Sequence, residues 1–106
     1  MKGFYRWAVM AVCVCLLSLP ATAAPYKSEY KLSVVPGATS GWGMTATFFA
    51  DLVRERSQGR INIKVYHSSQ LLAGKQTSEF LLLRNGAIDF ALASTINWSP
   101  QIKELN

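Results

Sequence analysis

The chain downstream of its first residues predicts an α/β fold of element order β-α-β-α-β. Three observations lead there. Short alternating or β-branched runs alternate with two segments of helical period. A glycine closes each helical segment, Gly59 and then Gly86. Helices placed between strands require right-handed crossovers and hence a parallel sheet.

The elements follow in order. Lys2 and Arg6 precede an apolar run from Ala8 to Leu19, and Pro20 breaks it before Ala21-Thr22-Ala23-Ala24. Residues 1–24 therefore read as a secretory signal peptide with an A-x-A cleavage site. The apolar run is shorter than the ~20 residues of a membrane span, which disfavours its rival, an uncleaved anchor. Neither Cys13 nor Cys15 follows a lipobox, and both leave with the signal. An exported, cysteine-free domain is expected in a bacterial periplasm.

Cleavage after Ala24 leaves 82 residues with nine of the eleven basic residues and all six acids, a net charge of +3. The charges are scattered, and Arg54, Arg56 and Arg60 suit a solvated helix end, so nucleic acid is not an expected partner.

Pro25 to Glu29 forms a polar leader, and Tyr30 to Val35 (YKLSVV) is predicted as a strand by length and β-branched content. Pro36 to Ser40 is a loop, with Ser40 or Thr39 placed to cap a helix from Gly41 to about Ser57. Met44, Phe48, Phe49, Leu52 and Val53 are expected on its inner face, with Asp51, Arg54 and Glu55 opposite. Ile61 to Tyr66 alternates strictly, as a strand with one more exposed face does. A loop over Ser68 to Gly74 leads to a helix from Lys75 to Arg84, with Phe80, Leu81, Leu83 and Leu82 inward. Ile88 to Ala93 is apolar apart from Asp89, as in a strand covered on both faces. Ser94-Thr95-Ile96-Asn97 leaves its C-terminal end, where open α/β sheets bind ligands.

Several motifs are weighed and set aside. Gly41-Trp42-Gly43-Met44-Thr45-Ala46 matches the G-x-G-x-x-A pattern of dinucleotide sites. Five residues separate it from the strand, and the second strand ends at Tyr66-His67 with no acid for a ribose hydroxyl. A glycine pair in a loop before a helix explains it better, and no cofactor is expected. His67 has no cysteine or carboxylate pair with which to hold a metal and reads as a solvated loop residue. Trp42 and Trp98 are expected in loops beyond strand ends, as ligand walls or as packing between lobes. Asp89 suits a backbone hydrogen bond or a helix cap rather than catalysis.

Three segments then resemble the extracytoplasmic solute receptors of TRAP transporters, the DctP-type family. They are Arg56-Ser57-Gln58-Gly59-Arg60-Ile61, Val65-Tyr66-His67-Ser68-Ser69-Gln70-Leu71 and Asn85-Gly86-Ala87-Ile88-Asp89-Phe90-Ala91. The tail Ser99-Pro100-Gln101-Ile102-Lys103-Glu104-Leu105-Asn106 is similar to the segment after that family's third strand, whereas Leu72-Ala73 lengthens a loop that is shorter in many members.

The resemblance implies part of the N-terminal lobe of a two-lobed periplasmic receptor, not an enzyme. Such a receptor closes on a small organic anion, often a carboxylate, and delivers it to a membrane permease driven by an ion gradient. It also implies ligand contacts from the loops after the first and third strands, here Val35 to Gly37 and Ser94, Thr95 and Asn97. Trp42 joins these candidates as the aromatic wall read above, not from the resemblance. The family's carboxylate-clamping arginine is expected beyond Asn106, so residues 25–106 read as an incomplete lobe. The other readings are the ligand module of a membrane sensor and an inactive truncated gene product.

Overall fold

The computed structural model describes residues 25–105. The signal-peptide assignment of residues 1–24 lies outside them. The sheet has three parallel strands, β1 (Tyr30–Val34), β2 (Ile63–Tyr66) and β3 (Phe90–Leu92), in the spatial order β2-β1-β3. Helix α1 (Gly41–Arg56) joins β1 to β2, α2 (Glu79–Arg84) joins β2 to β3, and α3 (Thr95–Trp98) follows β3. The β-α-β-α-β order and the parallel pairing are as predicted. Each strand is shorter than expected, because pairing begins only where register permits it. Tyr30 stands opposite Ile63, and Leu32 opposite Phe90.

Side chains alternate across a strand, and this sorts β1. Leu32 and Val34 join Ala46 of α1 in the buried core, with Ile63, Val65 and Leu92 packed against it. Ser33 points the other way and is equally closed off. In β2, Lys64 is exposed and its ammonium lies 5.1 Å from the Tyr66 ring centroid, so the more exposed face is the predicted one.

Helix α1 begins as expected. Ser40 Oγ accepts the Gly43 N–H at 3.0 Å and donates to the Gly37 carbonyl at 2.6 Å. Its inner face is different. Gly43, Ala46 and Ala50 are buried, while Met44 (59% exposed), Phe48 (68%) and Phe49 (41%) face outward. Small side chains let the helix approach the strands closely. A Cβ on Gly43 would lie 2.2 Å from the Gly37 carbonyl oxygen. The dinucleotide-like glycine is thus required by the fit of the β1 loop against the helix, and Gly41 has open space around it.

The second helix is also corrected. A 3₁₀ turn (Gln76–Ser78) precedes α2, and the residue buried on α2 is Glu79, whereas Leu81 is 41% exposed. Gly86 takes φ +73° and ends the element as predicted. The loop before it contains a 3₁₀ turn (Gln70–Leu72) with Leu72 buried. The third strand is not covered on both faces. Ile88 just before it is buried, but Phe90 is 37% exposed and β3 pairs only with β1 among the described residues. Phe49 and Phe90 meet edge to face at 6.1 Å over an apolar hollow of about 250 Å³ lined by Leu32, Thr45, Ala46 and Leu92.

Candidate functional site

The strand order decides where a site can form. From β1 the chain moves to one side, to β2, and then crosses to the other side, to β3. The loops after β1 and β3 consequently diverge from neighbouring strands, which is the switch point where open α/β sheets hold ligands. Val34 and Leu92 are paired, so Val35 to Ser40 and Ser94 to Asn97 leave the sheet side by side.

The β1 loop is braced by the loop after β2. Ser68 N–H donates to the Pro36 carbonyl at 2.9 Å and Ser69 N–H to the Val34 carbonyl at 3.3 Å, so the ladder continues past the last strand pair. Ser68 and Ser69 both take φ +55°, a conformation that costs non-glycine residues about 1 kcal/mol each. These backbone bonds hold them there. His67 is half-buried rather than solvated, and its Nδ1 is closed off without a partner among the described residues.

Of the predicted ligand residues, Val35 and Gly37 have carbonyls already engaged, by Ser69 Oγ at 3.5 Å and by Ser40. The backbone N–H groups of Gly37 and Ala38 have no acceptor among the described residues. The same holds for the first-turn N–H groups of Gly41 and Trp42, as expected for orphan donors at a helix start. Trp42 is not in a loop but in the first turn of α1, and it is 44% exposed.

The polar run after β3 is not a loop either. Ser94 caps α3 by accepting the Ile96 N–H at 3.3 Å, and Thr95 and Asn97 lie within that short helix. Thr95 is exposed, whereas Ser94 and Asn97 are half-buried. Trp98 ends the helix with its ring 6.0 Å from that of Phe80 and its indole N–H directed at Glu79 Oε2, 3.4 Å away. It therefore packs against α2 within the lobe. The run Ser94-Thr95-Ile96-Asn97-Trp98 carries no helical signal, because a four-residue turn has no periodicity to show.

Every side chain among the six candidates is neutral. What this end of the sheet offers is N–H donors and hydroxyl and amide groups, which suit an anion at a helix N-terminus. No group of three or more metal-ligating side chains occurs among the described residues. The residue that sequence reasoning missed is Glu79, the single acid of Glu79-Phe80-Leu81-Leu82-Leu83. Its isolation before an apolar run was the available signal. Asp89 lies at the opposite end of the strands, just before β3, where it accepts the Lys31 N–H at 2.9 Å and pairs with Lys27. Its role is structural, as the residues suggested.

Comparison with known proteins adds four findings. Residues 32–106 match the model of bacterial extracellular solute-binding protein family 7, DctP. A C4-dicarboxylate-binding periplasmic protein DctP of Rhodobacter capsulatus is 32% identical over 84 residues, 79% of this chain and 24% of that protein. A TRAP periplasmic solute-binding protein of Ralstonia eutropha H16, solved with bound (S)-2-acetolactate, is 57% identical with a TM-score of 0.73, over 76% of this chain and 26% of that one. Another from Sulfurospirillum deleyianum, solved with succinate, is 26% identical with a TM-score of 0.65, over 78% of this chain and 26% of its own. The chain thus spans about a quarter of the length of the relatives it matches. Those relatives are solute-binding proteins, not enzymes.

Proposed function

This chain belongs to family 7 of the bacterial extracellular solute-binding proteins, and from that premise we propose that it is the N-terminal part of a periplasmic TRAP receptor for a small organic acid. The acid is held between this lobe and a second one, and is then handed to a TRAP membrane permease. No described helix is long and apolar enough to cross a membrane, in keeping with a receptor that meets its permease from outside.

The observation that carries the reading is the switch point between β1 and β3. It brings Val35, Gly37, Trp42, Ser94, Thr95 and Asn97 to one end of the sheet, beside unengaged N–H donors. This half of the site contributes neutral hydrogen bonds, so the charge that fixes a carboxylate comes from the other lobe, through a two-pronged arginine contact. The ligand class we favour is a small carboxylate bearing a hydroxyl or keto oxygen, by likeness to the acetolactate-bound relative. Ser94, Thr95 and Asn97 can bond such an oxygen without a charge.

Thermal shift of the full-length protein with a panel of small carboxylates and their amides tests this. A bound acid raises the melting temperature in proportion to RT ln(1 + [L]/Kd), and the matching amide does not. No shift with any acid would reject the reading.

A further inference from the structure

Glu79 is fully buried, a position that acidic side chains almost never occupy without a partner. Among the described residues, Oε2 accepts one bond, from the Trp98 indole N–H at 3.4 Å. Oε1 is closed off and has no partner among the described residues. An apolar side chain of similar volume would avoid the desolvation of a carboxylate. Stability therefore does not explain the residue, and its contact does.

That contact falls on the last residue of α3, the helix that carries Thr95 and Asn97 and is capped by Ser94. Two further contacts join the same pair of segments. The Phe80 and Trp98 rings are tilted by 46°, and Gln101 Nε2 donates to the Thr77 carbonyl at 2.8 Å. Residues 77–80 thus form a seat for residues 98–101. Ring packing and the Gln101 bond fix how near the two segments lie. The bond to the indole edge is directional, and it sets the rotation of the Trp98 ring. Thr95 and Trp98 are i, i+3 neighbours on one face, so that rotation is passed to Thr95 and to the turn that holds Asn97.

We propose that Glu79 is a positioning residue for the ligand-facing turn after β3, acting through the Trp98 indole N–H. The proposal deepens the receptor reading and rests on it for the role of that turn.

The test uses the full-length protein and three variants. Glu79→Leu keeps volume without an acceptor, Glu79→Gln keeps an acceptor, and Trp98→Phe keeps the ring against Phe80 without the N–H. Amide hydrogen exchange over residues 94–102 is followed with no solute present. Affinity for (S)-2-acetolactate and the melting temperature are measured alongside. Glu79→Leu and Trp98→Phe should each speed exchange in that segment several-fold and weaken binding about tenfold, whereas Glu79→Gln stays close to the parent. The Leu/Phe double variant should lose no more than either single one, since both remove one shared contact. Unchanged exchange in Glu79→Leu and Trp98→Phe, failure of Gln to rescue, or additive losses would each overturn the proposal. A parent protein that does not bind acetolactate would count against that ligand, and the exchange data would decide the role of Glu79 by themselves.

Discussion

Lys31 and Asp89 are bonded in both directions. The Asp89 N–H donates to the Lys31 carbonyl at 3.0 Å, and the Lys31 N–H donates to Asp89 Oδ2 at 2.9 Å. The carboxylate thereby joins the start of β3 to β1, at the end of the strands opposite the candidate site.

A pH dependence follows. The Lys27 ammonium bonded to the Asp89 carboxylate, and then the Lys31 N–H, hold its pKa below the usual carboxylate value. A carboxyl whose pKa is depressed on folding stabilises fully above the unfolded value of about 3.9 and loses that contribution as pH falls through the folded value. Asp89→Asn should therefore lower stability at neutral pH, by up to about 1 kcal/mol because Lys27 is largely exposed, and flatten the acid limb. Urea midpoints of the full-length protein between about pH 2 and pH 7 would check this.

The two glycines at the start of α1 should behave differently. Gly43→Ala places a methyl 2.2 Å from a backbone oxygen, and should cost more than about 2 kcal/mol or displace the β1 loop. Gly41→Ala meets nothing within 4 Å and should change stability by less than about 0.5 kcal/mol. Thermal melts of the two variants would separate these outcomes.

Ser40 caps α1 and closes the β1 loop with the same hydroxyl. Ser40→Ala should cost about 1 to 2 kcal/mol, and Ser40→Asp should recover part of it. Chemical denaturation of both variants is the measurement.

Met44, Phe48, Phe49 and Phe90 leave a broad apolar surface around α1 and β3. Residues 25–106 expressed alone should bind an apolar dye and show no cooperative thermal transition. A sharp melt with a matching calorimetric enthalpy would contradict that.

The sequence revealed the fold through its punctuation. Ser40, Gly59 and Gly86 marked real ends, and the alternation of Ile61 to Tyr66 marked a strand that forms over Ile63 to Tyr66. Its inner faces were harder to read. The Met44 and Phe48 stripe looked like the core side of α1, yet close helix–strand approach selected the smaller Gly43, Ala46 and Ala50 instead. The lone acid before Phe80 to Leu83 pointed at Glu79, but its burial follows only once Trp98, 19 residues away, is in place beside it. The candidate site was legible only as two loops, since the pairing of Val34 with Leu92 that brings them together is a property of the sheet.

The central place of β1 has a consequence for how the molecule is made. The strand synthesised first needs partners that come much later, and its ties to β3 reach across 58 residues. Such long-range parallel pairing forms slowly. Until then, the apolar Leu32-Ser33-Val34 segment has two open edges that another copy could join. A nascent chain should stay protease-sensitive at least until Leu92 is free to pair, and chains stalled short of that point would show it.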